Sequence, residues 1–267
     1  MTTSHSAETL LIEGPDAIAF AHAQFSSKVN LLAPGHWQFS AWLSAQGRVR
    51  AVFHVCRIAD DRLLLLLRGG DAALIAAALR PFVFRSRLTI TARTAQWLTA
   101  APAQPLHSLH EQAQGLCLGC GTHSLLIDSS DTVDDSWQLS QLRLGWPWLP
   151  AAALDALLPT ALSLQRIEAV AIDKGCYPGQ EIVARLHYRG GHKQHLHGVE
   201  LSRPENSGAA LRNPQGEVGR LLDVIVTDSG IKTLAVINDS FAAQAVDEQL
   251  GPLENGLMLR LDASWPA

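Results

Sequence analysis

The feature that most limits what this chain can fold into is a change of pattern at Gly190-Gly191. Upstream, runs of alternating or continuous apolar residues exchange with runs whose apolar residues recur at helical spacing. Downstream only short strand-like runs remain, at 195–201, 218–227, 231–237 and 257–261. They are parted by the turns Asn213-Pro214-Gln215-Gly216 and Asp228-Ser229-Gly230. This order predicts an α+β body followed by a small all-β unit, a barrel. Within the body, strands are expected at 8–12, 37–43, 49–58, 63–67, 87–91, 124–128 and 137–144. Asp16 and Asp71 stand where they can cap helices at 17–25 and 72–79, the second halted by Pro81. Residues 101–114, rich in Ala, Pro, Gln and His, read as a loop or domain crossing. A chain of 267 residues has room for about two domains. The expected division is 1–191, with an internal boundary near 101–114, and 192–267.

One short stretch carries most of the chemistry. Lys174-Gly175-Cys176-Tyr177-Pro178-Gly179-Gln180-Glu181 sets a cysteine between a lysine and a tight turn, ahead of a helical run carrying Ile182, Val183 and Leu186. Pro178 fixes φ, and Gly179 supplies the positive φ that a type II turn needs at its third residue. Glu181 and Arg185 are spaced to pair at i, i+4. A thiol beside a helix N-terminus and a lysine is expected to favour its thiolate. The plainer alternative is a buried, inert cysteine in a strand-to-helix turn.

The octad matches all seven specified positions of the K-G-C-Y-x-G-Q-E signature of the YgfZ-type folate-binding proteins, relatives of the glycine-cleavage T-protein. The chain resembles that family further through Val183-Ala184-Arg185 and Arg189-Gly190. The resemblance implies two intertwined ferredoxin-like α+β domains and a C-terminal β-barrel around a central folate pocket. Tetrahydrofolate or a derivative is the implied ligand. The implied role is that of an accessory protein in iron–sulfur cluster assembly or repair and, through client enzymes, in tRNA modification. Cys176 is then the candidate functional thiol, tuned by Lys174. Gly175, Tyr177, Gln180, Glu181 and Arg185 are expected to shape the turn and helix that meet folate or a partner.

The T-protein relatives carry a glycine pair followed by two aspartates in the early sheet. The stretch that corresponds, Gly47-Arg48-Val49-Arg50-Ala51-Val52, holds Ala51 and Val52 in the carboxylate places. Neither can assist proton transfer at a folate nitrogen. An asparagine-bearing turn corresponds to Arg68-Gly69-Gly70-Asp71, and an expected glutamate is replaced by Arg143 ahead of Gly145. Aminomethyltransferase activity is therefore not expected, and a tetrahydrofolate-dependent one-carbon transferase stays as the enzymatic alternative. Arg48, Arg50, Arg68 and Arg143 are candidate contacts for an anionic folate tail, because the guanidinium fork binds carboxylates bidentately. Four solvated surface arginines are the alternative.

Cys117-Leu118-Gly119-Cys120 suits zinc or a dithiol couple by spacing, which is a third reading of function. No second CxxC exists, and a site of four thiolates would have to recruit Cys56 and Cys176. A strand or turn is the simpler reading, and no metal is expected. His187, His192, His195 and His197 crowd together with Arg185, Arg189 and Lys193. That segment reads as a basic connector for phosphate, RNA or a folate polyglutamate tail.

A net charge of −4 exerts no global pull on nucleic acid or membrane, and direct nucleic-acid binding is not expected. The greasiest run, 63–67, is too short to span a bilayer and reads as a buried strand. Residues 1–10 carry no basic region or apolar core, so a cytoplasmic monomer with reduced cysteines is expected. Its expected partners are folate and iron–sulfur client or assembly proteins.

Overall fold

The five leucines at 63–67 can follow one another because the strand they form is covered on both faces. Leu63, Leu65 and Leu67 enter a core with Ala17, Phe20, Ile75 and Leu79, whereas Leu64 and Leu66 enter a second core with Trp37, Phe39, Leu118 and Ile127. Each such leucine contributes about 1.5–3 kcal/mol of burial. The computed structural model describes residues 5–129, 134–191 and 193–265.

The chain runs through β1 (His5–Ser6), β2 (Thr9–Glu13), α1 (Ala17–Gln24), β3 (His36–Leu43), β4 (Val49–Ala59), β5 (Arg62–Leu67), α2 (Ala72–Leu79) and β6 (Thr89–Arg93). Next come β7 (Trp97–Ala101), β8 (Leu109–Gln112), β9 (Gly115–Gly119), β10 (Ser124–Asp128), α3 (Trp137–Arg143) and α4 (Gln180–Arg189). The last part holds β11 (Gln194–Leu201), β12 (Ala210–Asn213), β13 (Gly216–Thr227), β14 (Gly230–Asn238), α5 (Asp239–Ala242), β15 (Gln249–Leu250) and β16 (Leu259–Trp265).

Three antiparallel sheets result, ordered β3-β4-β5-β2-β6, β1-β7-β10-β9-β8 and β12-β13-β14-β11-β16-β15. The chain starts in the second sheet with β1, builds the first, and returns to the second at β7. Helices α1 and α2 cover one face of the first sheet. Its other face packs on the second sheet around the central core. The third sheet adds Leu196, Leu222, Leu234 and Val236 to that centre. It curls as an open half-barrel about Val199, Leu221, Ile237, Phe241 and Leu257. The mixed body expected from the sequence is present, and the end is β apart from the one-turn helix α5.

Local readings differ in several places. Residues 137–144, expected as a strand, form α3, because Trp137, Gln141 and Leu142 are buried at helical spacing. Strand β8 lies within the stretch read as a loop, and β12 was without a sequence signal. Asp16 does not cap α1: its carboxylate accepts from the backbone N–H and guanidinium of Arg87 instead. Asp71 does cap α2, accepting from the Leu74 N–H at 2.9 Å. Among the described residues no helix is long and apolar enough to cross a membrane.

Candidate functional site

The octad forms the type II turn that its Pro-Gly pair dictates. Gln180 N–H donates to the Tyr177 carbonyl at 3.2 Å, and Gly179 adopts φ 78°, ψ 0° as it opens α4. Two glycines then let this turn sit on the tip of the β3–β4 hairpin. A Cβ on Gly179 would stand 2.5 Å from the Ser44 carbonyl oxygen, and one on Gly47 would stand 2.9 Å from Cβ of Ile182. Gly47 itself turns the hairpin, at φ 74°.

Side chains of the octad hold their own loop. The buried Tyr177 hydroxyl donates to the Ala171 carbonyl at 3.0 Å, and Gln180 Nε2 donates to the Lys174 carbonyl at 2.9 Å. Lys174 points to the end of α1, where its Nζ donates to the carbonyls of His22, Phe25 and Ser27 at 2.5, 2.6 and 2.9 Å. Its three protons are thereby taken by backbone, and burial pulls its pKa down to about 8. The ammonium caps a helix C-terminus rather than pairing with the thiol. Cys176 is exposed beside Gly175, around whose missing Cβ there is open space. Glu181 and Arg185 are exposed on α4 and form no ion pair with each other among the described residues.

The four arginines meet different surroundings. Arg48 Nη1 donates to the Ala156 carbonyl at 2.6 Å and edges a groove beside α4. Arg50 lies 4.5 Å over the Trp42 ring and 3.4 Å from the Asp155 carboxylate. Arg143 is exposed on the last turn of α3. Arg68 is completely buried at the junction of the three sheets. It donates from Nε to the Pro147 carbonyl at 2.9 Å, from Nη2 to the Trp146 carbonyl at 2.7 Å and from Nη1 to Gln141 Oε1 at 2.8 Å. The Trp148 ring stacks on its guanidinium at 4.5 Å. Burial lowers the Arg68 pKa to about 9 and holds the adjacent His54 neutral.

Arg68 is a candidate in the sequence; the groups that surround it are not. Gln141 links Arg68 to Trp148 Nε1 at 3.0 Å and to His123 at 3.3 Å. Asp223 of β13 faces a cleft of about 10 Å³ walled by Leu142, Trp146, Trp148 and Leu234, and burial raises its pKa. The available signals were a lone carboxylate inside Leu221-Leu222-Asp223-Val224-Ile225 and the triplet Trp146-Pro147-Trp148.

The remaining cysteines are buried. Cys117 and Cys120 lie three residues apart in extended backbone, on opposite faces. Burial pushes the Cys120 thiol up to about 12 and raises those of Cys117 and Cys56. Among the described residues no group of three or more His, Cys, Asp or Glu is placed to hold a metal. His195 pairs with Asp239 at 2.5 Å and His197 with Ser264 at 2.7 Å, while His192 lies outside the described residues.

No protein-family model matches the chain. An uncharacterized protein of Haemophilus influenzae is 26% identical over 190 residues, which are 68% of this chain and 67% of that one. The tRNA-modifying protein YgfZ of Yersinia pestis (strain Pestoides F) is 32% identical over 154 residues, 54% of this chain. YgfZ of Yersinia pseudotuberculosis (strain IP 31758) is equally similar, and the chain spans 45% of the length of that relative. Among solved structures, the glycine cleavage system aminomethyltransferase T of Bartonella henselae superposes with a TM-score of 0.71 at 15% identity, covering 97% of this chain and 86% of that one. The octad and the three-sheet body thus point the same way: this chain is a sequence relative of tRNA-modifying protein YgfZ, built on the fold of the glycine-cleavage aminomethyltransferase.

Proposed function

We propose that this chain is a folate-binding accessory protein that supports iron–sulfur cluster assembly or repair in client enzymes and, through them, tRNA modification. The observation that carries the proposal is Cys176, an exposed thiol on a turn held by Tyr177, Gln180 and the Gly179–Gly47 contact. A thiol presented in this way meets a partner or an incoming cluster without unfolding anything. Its thiolate is a soft ligand suited to iron. Ala51 and Val52 are both fully buried among apolar side chains, so neither strand position offers a proton carrier to a folate nitrogen.

The fit of a folate divides between two places. In the centre, Asp223 and the rings of Trp146 and Trp148 suit the donor edge and face of a pterin in kind. A cleft of about 10 Å³ has room for one water at most, so the ring does not fit there as these side chains stand. No chemical step is assigned to a folate in that cleft. The groove beside α4, about 600 Å³ and edged by Arg48 and Lys193, has the volume and the cations for a carboxylate tail.

The test is calorimetric titration with tetrahydrofolate, together with complementation of cells that lack this protein. Saturable binding by wild type and by Cys176→Ala alike, with loss of cluster-enzyme activity in cells carrying Cys176→Ala, is the expected result. Full complementation by that variant would sink the role of the thiol, and absence of binding by both proteins would remove folate from the proposal.

A further inference from the structure

Helix α4 is attached by little and exposes much. Val183 is its one buried residue among ten, and at 3.6 residues per turn Glu181, Arg185, Tyr188 and Arg189 fall on the face opposite it. Tyr188 is 76% exposed, and the His187 ring meets it edge-on with centroids 5.0 Å apart. Arg185, Arg189 and the following Lys193 are exposed and enter no ion pair among the described residues. Glu181 is the acid on that face. Grooves of about 600 Å³ flank the helix, one edged by Arg48, Leu186 and Lys193, the other by Lys28, His187 and Tyr188. The first also holds Asp239, paired to His195 at 2.5 Å, and the second Glu168 and Asp173, the latter paired to Lys28 at 2.6 Å. In a chain of net charge −4 this concentration of unpaired cations is local.

In sequence the basic residues hold a single tyrosine, too thin an interleaving to predict nucleic-acid contact. On the helix that tyrosine shares its face with both arginines. We propose that the outer face of α4, continued to Lys193, docks single-stranded RNA, with phosphates on Arg185, Arg189 and Lys193 and an unpaired base stacked on Tyr188. An acidic peptide would engage the cations and leave the ring unused; a stacked base uses both. Cys176 precedes the N-terminal end of α4, whose ten residues span about 15 Å at 1.5 Å per residue. The proposal does not rest on the thiol, and of the cations named for a folate tail it shares only Lys193.

The experiment is fluorescence anisotropy of the full chain with a labelled single-stranded RNA twelve-mer at two salt concentrations, with circular dichroism to verify each variant's fold. Three phosphate contacts predict a log–log salt slope of about −2, a loss of affinity of roughly twentyfold between about 50 and 200 mM salt. The double variant Arg185→Gln/Arg189→Gln keeps one contact, so its slope should fall to about −0.7. Tyr188→Ala should weaken binding by about fivefold or more at an unchanged slope. No saturable binding at low salt, or a double variant that binds like wild type, would overturn the proposal. So would competition by oligoglutamate as effective, charge for charge, as by unlabelled RNA, which would mark the ridge as a site for acidic protein.

Discussion

At the centre of the molecule Arg68 is completely buried, and the carbonyls of Trp146 and Pro147 with the amide of Gln141 hold its guanidinium. At the rim Cys176 is exposed, and the bonds around it secure its neighbours rather than the thiol. Both places are rigid, for opposite reasons. A buried cation with satisfied donors is an architectural part, because its loss would leave buried carbonyls without that donor. An exposed thiol on an over-determined turn can be altered with little effect on the fold. Position in the fold, more than residue type, separates structural chemistry from available chemistry here.

Replacement at the centre tests this contrast most severely. Arg68→Met takes the guanidinium from the Trp146 and Pro147 carbonyls and from the Trp148 ring, while Gln141 Oε1 keeps the Trp148 N–H, and a loss of about 3–5 kcal/mol is expected in urea unfolding. A loss below about 1 kcal/mol would mean that water replaces the guanidinium and that the centre is more open than described. Next in size is Gly179→Ala. A positive φ and a Cβ 2.5 Å from the Ser44 oxygen predict a cost of about 1–3 kcal/mol and release of α4 from the hairpin. Hydrogen exchange confined to α4 would locate that release, and an unchanged melting temperature would contradict it.

The pH dependence offers a finer probe. Asp223 has its pKa raised in the folded state by burial, with His5, Arg68 and Ser207 as the groups that oppose the shift. Below the ordinary carboxylate value both states hold the proton and nothing changes. As pH climbs from there through the raised value, the unfolded chain releases the proton first, so stability falls. Asp223→Asn should remove that fall, so the variant gains on wild type as pH rises above about 4. A constant difference across that range would show Asp223 to be solvated. Smallest is the effect at the rim: Cys176→Ala should shift stability by less than about 0.5 kcal/mol. In the native protein, Ellman's reagent should react with Cys176 alone of the four cysteines, the others following on unfolding. Rapid reaction of Cys56, Cys117 or Cys120 would break the contrast.

How much of this was legible beforehand depended on distance along the chain. The Tyr177–Gln180 turn follows from Pro178 and Gly179 alone, and the leucine run at 63–67 announces a strand buried on both faces. Asp71 and Pro81 mark the ends of α2 because caps and breaks act within one turn. Residues 137–144 failed as a strand because their apolar spacing suits either period over so short a span, and the packing of Trp137 and Gln141 decided between them.

By itself, then, the sequence determined the turn that presents Cys176, the apolar strands of the sheets and the order of a mixed body before a β-rich end, since propensity and periodicity are local properties. Tertiary structure alone decided that Lys174 closes α1 across 149 residues to the Phe25 carbonyl, rather than facing its neighbour Cys176. It also decided that Arg68, one of four arginines alike in sequence, is the one enclosed, and that Asp223 meets two tryptophans. The physical reason is the same in each case. A long polar side chain goes where its donors can be satisfied, and those acceptors are assembled by packing from segments far apart in the chain.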